Sequence, residues 1–509
     1  MEKPEKVMAP LIGEKRAIVL LVDFSDNPHT YNPQDFQRLL FSKGEMSLRD
    51  YYEEVSYGRF TIDGDVEGWF RLPYPYSYYV GDTFGIGSYP RNAQGMVVDA
   101  IKAADLLIDF SLYDEDKDGY VDNIFIVHSG RGAEETGSNR DIWSHKWQLS
   151  TPDGPGAYNT QDGVKIDVYT TEPERFKDGL VTVGVFCHEF GHILGLPDLY
   201  NTENQDYVGP GRFSLMSAGS WNGSPEGSSP SHLCSWSKYT LGWIEPLALE
   251  NPGDIMNRAS LPCVEYNPVV YRLLPNPNGA DWSFDNPGQG EYFLIENRYR
   301  TGFDKGLPGS GLLILHIDES QYDNNSITHP LVGIMQADGD QSYVLTQSDP
   351  GNADDLWKDD TLGFGMLSVP SSVLYNGTPS GVWVKNISES DSVMEADLKI
   401  EVVLLGEVYA FPNPFAPHKN HRKVTIRYVP TDTLKAEGKY PEFKVSIYNL
   451  AGELIRVLDK VGDEVYPLAR SAFWDLKNER GEDVVSGLYF YMIETETGEK
   501  NKGRLTVIR

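Results

Sequence analysis

The sequence predicts an α+β fold divided into three consecutive units. Its length of 509 residues exceeds what one hydrophobic core usually supports, and about three units fit it. Hydrophobic residues make up 40% of the chain and aromatic residues 12%, which is typical of folded proteins. The 49 glycines and 32 prolines indicate many turns, so we expect a β-rich protein with few long helices.

The first predicted unit, residues 1–245, mixes strands and helices. Apolar runs predict buried strands at Arg16–Phe24 and Ile124–His128. Apolar residues at helical spacing predict three helices, which are Asp35–Leu40, Met46–Glu54 and Val97–Asp109.

The pattern changes after this unit. Residues 246–402 contain short runs such as EYFLIENRY and GLLILHIDE between turn residues, and they predict a β-rich domain associated with the first unit. Residues 403–509 follow a proline-rich entry, VYAFPNPFAP, with closely spaced strand patterns. This spacing favours a C-terminal immunoglobulin-like β-sandwich.

Charge and cysteine content exclude several classes. The net charge of −31 argues against nucleic acid as a partner, since phosphate contacts need clustered Lys and Arg. It suits solubility outside the cell or carboxylate sites for calcium. Three cysteines, Cys187, Cys234 and Cys263, allow at most one disulfide. No apolar run is long enough to span a bilayer, and the N-terminus lacks the apolar core of a signal peptide.

The stretch HEFGHILGLPDLY carries the chemistry. His188 and His192 are four residues apart, so on a helix their imidazoles lie on one face and can bind one zinc ion. Glu189 lies beside them and can accept a proton without being a ligand. A structural helix with two solvent-facing histidines is the alternative interpretation.

The residues that follow the helix extend this site. Gly195 suits the end of the helix, because glycine tolerates the left-handed conformation that reverses the chain. Pro197 prevents helical continuation. The turn is expected to bring Asp198 back to the ion as the third protein ligand, leaving a fourth position open. His145, in DIWSHKW, is a lone histidine that either lines the cleft or serves a structural role.

A second acidic stretch, DEDKDGYVD, resembles the beginning of an oxygen-rich calcium loop. The glutamate that usually completes such a loop is replaced by Phe125, so Asp105 or Asp109 would have to complete the shell. A solvated acidic turn is the alternative. The predicted calcium ligands are Asp114, Asp116, Asp118, Tyr120 and Asp122.

The zinc motif, followed by FSLMSAGSW, resembles the metzincin-type zinc proteases related to immune inhibitor A. RAIVLLVDFSDNP and the segment from EYFLIENRY to LLILHIDE share this resemblance, which extends from about residue 15 to residue 360. It implies a metzincin-like catalytic domain with Met216 in a turn beneath the zinc, although an ordinary core methionine is the alternative. Most metzincins have histidine where this chain has Asp198, whereas the family resembled here has aspartate.

The resemblance also implies where the protein is located and that it is processed from a precursor. Such proteases are secreted as precursors, so we expect a secreted or cell-surface bacterial protein whose leader and propeptide precede this chain. The C-terminal segments FPNPF, IYNLAGELIRVL and KGRLTVIR resemble type IX secretion sorting domains and the immunoglobulin-like domains of flagellar hook-capping proteins. That resemblance implies secretion machinery as a partner.

Together these features predict a zinc-dependent endopeptidase acting on proteins or peptides, with Glu189 as general base. A surface adhesion protein with an inert protease-like domain is the alternative. The intact Glu189 argues against it, because an inert domain does not need the base.

Overall fold

The computed structural model describes most of the chain. The described residues are 11–204, 206–339, 345–365, 368–378, 380–401, 408–417, 423–428, 442–461, 464–466, 470–495 and 500–509. The predicted boundary between the second and third units, at residues 402 and 403, lies outside them. The described structure is mixed α/β with a β-rich C-terminal region, as the sequence predicts.

The α-helices of the described residues are short and precede residue 241. They are α1 (Pro33–Phe41), α2 (Leu48–Val55), α3 (Tyr76–Val80), α4 (Ala93–Ala104), α5 (Ala133–Thr136), α6 (Val183–Ile193) and α7 (Ser235–Thr240). None of these helices is long and apolar enough to cross a membrane.

Strands run through the whole described structure. The first part contains β1 (Gly13–Asp23), β2 (Phe60–Arg71), β3 (Ile124–Arg131), β4 (His145–Gln148), β5 (Tyr158–Asn159), β6 (Lys165–Ile166), β7 (Val168–Phe176) and β8 (Gly179–Leu180). The middle part contains β9 (Leu247–Leu249), β10 (Ile255–Pro262), β11 (Tyr271–Leu273), β12 (Glu291–Arg298), β13 (Gly311–Asp318), β14 (Val332–Ile334), β15 (Val382–Lys385) and β16 (Val393–Ile400). The last part contains β17 (Val408–Phe411), β18 (Val424–Tyr428), β19 (Phe443–Tyr448), β20 (Leu454–Leu458), β21 (Val465–Tyr466), β22 (Ser471–Trp474), β23 (Gly487–Thr495) and β24 (Lys500–Val507).

One predicted helix is displaced. The sequence predicts Val97–Asp109, but α4 begins at Ala93, because the Asn92 side chain accepts a hydrogen bond from the Gly95 amide and caps the first turn. The helix ends at Ala104, and Asp109 instead caps the next short 3₁₀ turn by accepting from the Ser111 amide. The helical spacing of apolar residues therefore extends beyond Ala104, where the helix ends.

A mostly parallel sheet carries the first unit. Its strand order is β2-β1-β3-β7-β4, with β8 paired to β7. The pairs β1–β2, β1–β3 and β3–β7 are parallel, whereas β4 is antiparallel to β7. Strand β4 ends this order, so its outer edge is available for pairing.

The sheet separates two layers of core. Side chains alternate between its faces, so Val19 and Phe125 pack on the side of α6, whereas Ile18 and Ile124 pack on the side of α4. The α6 side continues into the middle part, where Leu294 of β12 belongs to the same core. The core is therefore continuous across residue 245, where the sequence predicts a domain boundary.

The C-terminal strands form two four-stranded sheets, β17-β18-β22-β21 and β20-β19-β23-β24. Their buried side chains make one core, which contains only residues from 410 to 507 among those described. The three cysteines are free and buried, so the one disulfide that the sequence allows is not formed.

Candidate metal centre and cleft

Helix α6 positions the two histidines of the motif. Phe186 and Phe190 are fully buried against the sheet, which fixes the opposite face of the helix toward the cleft. The helix ends at Ile193, and Gly195 follows with φ of 96°, a conformation that favours glycine. The chain then reverses and brings Asp198 back over the helix.

The structure brings together the three predicted metal ligands. Asp198 Oδ1 lies 3.1 Å from His188 Nε2 and 3.2 Å from His192 Nε2. The three ligand atoms lie within 4.8 Å of one another, which is close enough to hold one ion. Two imidazoles and a carboxylate form a donor set that zinc accepts.

Backbone carbonyls orient both imidazoles. His188 Nδ1 donates to the Leu215 carbonyl at 3.0 Å, and His192 Nδ1 donates to the Leu196 carbonyl at 2.9 Å. Because a carbonyl only accepts, each Nδ1 carries the proton and each Nε2 presents a lone pair toward Asp198. Such hydrogen bonds fix the tautomer that a metal ligand needs.

The charges at this point favour a cation. Burial opposes ionisation of Asp198, but the imidazoles of His192 and His188 outweigh it and hold the carboxyl pKa well below its usual range. Burial lowers the pKa of His192, and the Asp198 carboxylate more than offsets this, so the pKa of His192 is raised. The Asp198 carboxylate therefore stabilises positive charge at this point, and a divalent cation could supply that charge in place of the imidazole protons.

Glu189 is buried beside the ligands and is not one of them. Burial raises the pKa of its carboxyl to about 8, opposed by the nearby His188 and by a hydrogen bond from the Lys146 backbone. Its Oε2 atom has no hydrogen-bond partner among the described residues. An unsatisfied buried carboxylate oxygen is costly, and a cation or a water at this site would relieve that cost.

Met216 packs beneath the two histidines. A side chain added at Gly191, directly before His192 in α6, would have its Cβ 2.5 Å from Met216 Sδ. The thioether therefore fills the space directly under the histidine turn. Met216 is fully buried, and Leu215 beside it supplies the carbonyl that orients His188.

Comparison with protein families decides what this arrangement belongs to. Residues 11–243 match the family model described as "Immune inhibitor A peptidase M6, catalytic domain". Residues 11–243, which we call the M6 domain, are thus similar to the catalytic domain of M6 peptidases. The resemblance predicted from the motif is therefore confirmed, and the family consists of metallopeptidases, which require a metal.

Two relatives resemble the M6 domain and its surroundings. The chain is 33% identical over 296 residues to "Pre-pro-metalloprotease PrtV" of Vibrio cholerae, covering 46% of this chain and 31% of the relative. It is 32% identical over 278 residues to "Immune inhibitor A" of Bacillus thuringiensis, covering 45% and 39%. The chain thus spans about a third of the length of these curated relatives.

Solved structures add no argument about the fold. PorZ, described as a surface component of the type-IX secretion system of Porphyromonas gingivalis, matches 46% of this chain and 40% of its own at 16% identity, with a TM-score of 0.16. OgpA of Akkermansia muciniphila matches 99% of this chain and 96% of its own at 12% identity, with a TM-score of 0.23. Both superpositions are too poor to carry a conclusion.

The candidate centre lies in a cleft of about 1530 Å³. The M6 domain supplies α6, the edge strand β4 with His145, and the segment from Ser217 to Ser229. The middle part supplies other lining residues, among them Phe284 and Tyr322. The cleft is therefore built by residues on both sides of residue 245, which the sequence does not predict.

Three residues near Glu189 were not found from the sequence. Glu134 lies in the cleft wall and accepts from the Ser144 hydroxyl at 2.8 Å, and burial raises its pKa. Glu172 is fully buried on β7, and burial and then Glu189 raise its pKa well above the usual range. Tyr200 lines the cleft and bonds to Asp198. The sequence offers one signal for Glu172, which is the presence of a carboxylate within a stretch that forms a mostly buried strand.

The acidic loop has the geometry of a turn lined with carboxylates. Asp114, Asp116 and Asp118 present oxygens within 4.8 Å of one another. Their oxygens also accept from loop amides, for example Asp114 Oδ2 from Gly119 at 3.1 Å. Asp122 is not part of this group of carboxylates among the described residues, and the predicted binding of the Tyr120 carbonyl stays a prediction.

The two carboxylates considered for completing the shell have other partners. Asp105 accepts from the Gln161 amide at 3.1 Å, and Asp109 accepts from the Ser111 amide at 3.1 Å. Asp122 Oδ2 accepts from the Glu115 amide at 2.9 Å. Among the described residues, the acidic loop offers three converging carboxylates, and Asp105 and Asp109 are not part of that group.

Proposed function

We propose that this chain is a zinc-dependent endopeptidase that hydrolyses peptide bonds of proteins. The observation that carries the proposal is the convergence of His188, His192 and Asp198 at the wall of a large cleft, with Glu189 beside them. The M6 family of the surrounding residues supports the same conclusion. A cleft of about 1530 Å³ has room for several residues of a polypeptide.

The proposed metal is zinc, held by the two Nε2 atoms and the Asp198 carboxylate. When bound, zinc polarises the scissile carbonyl and lowers the pKa of water at the open fourth position. The fit rests on an N,N,O donor set, on two Nδ1 atoms that already donate to carbonyls, and on a Glu189 oxygen that has no partner in the part of the chain that the structure describes.

The chain's own residues then have separate tasks. Edge strand β4 can pair with an extended substrate segment, which places the peptide bond across the face of α6. Glu189 accepts the proton of the attacking water and transfers it to the leaving amine. Burial raises its proton affinity and so supports acceptance of the proton. Met216 supports the turn of α6 that carries the histidines.

The ligand role of Asp198 can be tested separately from catalysis. Asp198→Ala should lower zinc affinity by more than about a hundredfold, because it removes one of three protein ligands. Equilibrium dialysis against buffered zinc measures the change, with Glu67→Gln, an exposed carboxylate outside the cleft, as the control. Unchanged affinity in the Asp198 variant would mean that the third ligand lies elsewhere.

A structural calcium ion at the acidic loop is a further part of the proposal. The three converging carboxylates of Asp114, Asp116 and Asp118 support it, since calcium prefers oxygen ligands. The double variant Asp116→Ala and Asp118→Ala should lower the Tm by a few degrees in calcium and hardly at all in chelator. Equal shifts in both buffers, measured by calorimetry, would indicate that the loop does not bind calcium.

The architecture and location complete the proposal. We infer a metzincin-like catalytic domain in residues 1–245, an associated β-rich domain in 246–402 and an immunoglobulin-like sandwich in 403–509. The separate C-terminal core supports the last division. We further propose that the protein is secreted or exposed at the bacterial surface, and that the sandwich engages the secretion machinery.

Removing the sandwich should separate these roles. Deletion of residues 403–509 should leave hydrolysis of small peptides within about twofold of the full chain, because the C-terminal core is distinct from the cores around the cleft. Export from the native host should fall instead, measured by immunoblots of medium and cell fractions. If the shortened chain stayed folded by circular dichroism but lost activity, the sandwich would have to contribute to the cleft.

A further inference from the structure

One corner of the cleft carries three cations. Arg212, Arg300 and Lys305 all line the cavity, and all three are exposed. They do not belong to the metal ligands or to the proposed proton-transfer residues. Arg212 comes from the M6 domain, and the other two follow strand β12 of the middle part.

Local contacts bring together the three chain segments that carry these cations. The Arg300 guanidinium donates from Nε and Nη2 to the Lys305 carbonyl, at 3.3 and 3.2 Å. Gly306 packs on the segment opposite, since a Cβ there would lie 3.0 Å from the Gly223 amide. The adjacent Asn222 donates to the Arg212 carbonyl at 2.8 Å. We call Arg212, Arg300 and Lys305 the cationic corner.

The cationic corner lacks internal counterions. Within the described part of the chain, no carboxylate lies within 4.0 Å of any of the three charged groups. Glu226, which lines the same cavity, is already paired with Lys177 at 2.7 Å. The chain has 75 acidic and 44 basic residues, so three cations that line one cavity, with no carboxylate in contact among the described residues, are unexpected from composition alone.

We propose that the cationic corner is a substrate subsite that takes a carboxylate. The inference rests on the proposed peptidase function and names a substrate class for it: peptides that carry a carboxylate at one position near the scissile bond. Arg300 retains Nη1 for a new acceptor, and guanidinium and ammonium groups bind carboxylates through charge-assisted hydrogen bonds. The carboxylate can come from an Asp or Glu side chain or from a peptide C-terminus.

A matched peptide set identifies the position and the source. In quenched fluorescent peptides, Glu replaces Gln at each of the positions flanking the cleaved bond, and each peptide is made with a C-terminal acid and a C-terminal amide. We expect kcat/KM for zinc-loaded protein to favour Glu over Gln at one position by about three- to tenfold. Preference for the acid terminus alone would assign the corner to a C-terminal carboxylate. The preference should shrink in high salt, because the cations are exposed.

A variant connects the preference to the corner. In the double variant Arg300→Gln and Lys305→Gln, the ratio of kcat/KM values at that position should fall toward one. Arg38→Gln, an exposed cation on α1 outside the cleft, should keep the wild-type ratio. An unchanged ratio in the double variant, or no preference for a carboxylate at any position or terminus, would overturn the proposal.

A binding measurement separates this inference from the peptidase proposal. Fluorescence anisotropy with zinc-loaded Glu189→Gln protein should give a lower Kd for the Glu peptide than for the Gln peptide, and the added double substitution should remove the difference. If wild-type protein cleaved no peptide but this difference held, the peptidase proposal would fail and the carboxylate subsite would stand. Equal Kd values for both peptides would overturn the subsite.

Discussion

Glu189→Gln should lower kcat for peptide hydrolysis by about 10²- to 10⁴-fold while zinc stays bound. The amide keeps the shape of the side chain but cannot accept the proton of the attacking water. The ligand atoms of His188, His192 and Asp198 are untouched, so the metal content should equal that of the unmodified protein. Steady-state kinetics on a fluorogenic peptide and metal analysis of the same preparation measure both quantities.

The control for this variant is Glu67→Gln, which changes an exposed carboxylate on β2 outside the cleft. It should retain full activity and full zinc. A Glu189→Gln protein that kept more than a few per cent of kcat would contradict the assignment of the general base. Loss of zinc together with activity would instead make Glu189 part of the metal shell.

The second large effect is expected far from the metal, at Asp304. Arg298 is fully buried, and its Nε and Nη2 donate to Asp304 Oδ2 at 2.9 and 2.7 Å. Asp304 also accepts from the His232 amide at 2.9 Å. Asp304→Ala removes the carboxylate and leaves a buried guanidinium without its closest counterion. Such losses cost about 3–5 kcal/mol of unfolding free energy.

This ion pair connects the two halves of the cleft. Arg298, on β12 of the middle part, also donates from Nη1 to the Phe213 carbonyl, two residues before Leu215. Leu215 in turn accepts from His188 Nδ1. We therefore expect Asp304→Ala to lower both the unfolding free energy and the zinc affinity, and urea titration with and without zinc measures both.

The matched control is an exposed ion pair of similar geometry. Arg258 Nη2 lies 2.8 Å from Glu395 Oε2, with both side chains largely exposed. Glu395→Ala should cost less than about 1 kcal/mol. If Asp304→Ala proved too unstable to purify, Asp304→Asn tests the same contact, because it removes the charge and keeps the size. A cost equal to that of Glu395→Ala would mean that the buried pair does not stabilise the fold.

Local patterns were sufficient for much of the fold. The continuous apolar runs of β1 and β3 indicate strands buried on both faces, and both strands form where they are predicted. The helix predicted at Met46–Glu54 forms as α2, but it begins two residues later, at Leu48, because the capping box of Ser47 and Asp50 fixes its start. The predicted end of α4 was wrong, because capping, and not the spacing of apolar residues, decides where this helix ends.

The candidate site, like the fold, could be predicted from local patterns only in part. His188, Glu189 and His192 share one helix, so their spacing alone predicts that they lie together. Glu134 on α5 and Glu172 on β7 reach the site from other elements, and no motif in the sequence connects them to Glu189. Their approach to Glu189 depends on the strand order of the sheet, which a single sequence does not specify.

The core that continues across residue 245 also depends on packing between distant segments, which a single sequence does not specify. Leu294 joins the core around α6 through tertiary packing, although the strand pattern around it resembles that of an independent β domain. The contribution of Arg300 and Lys305 to the cleft follows from this packing. Contacts between distant segments therefore decide the shape of the cleft, whereas the motif decides its chemistry.

Anomalous X-ray scattering at the zinc edge tests whether His188, His192 and Asp198 bind zinc. In crystals grown with zinc, the account predicts one strong peak within about 2.0–2.2 Å of His188 Nε2, His192 Nε2 and an Asp198 carboxylate oxygen. The peak should be present in Glu189→Gln crystals and much weaker in Asp198→Ala crystals. A peak coordinated by other residues, or no peak between the two histidines, would contradict the proposed zinc site.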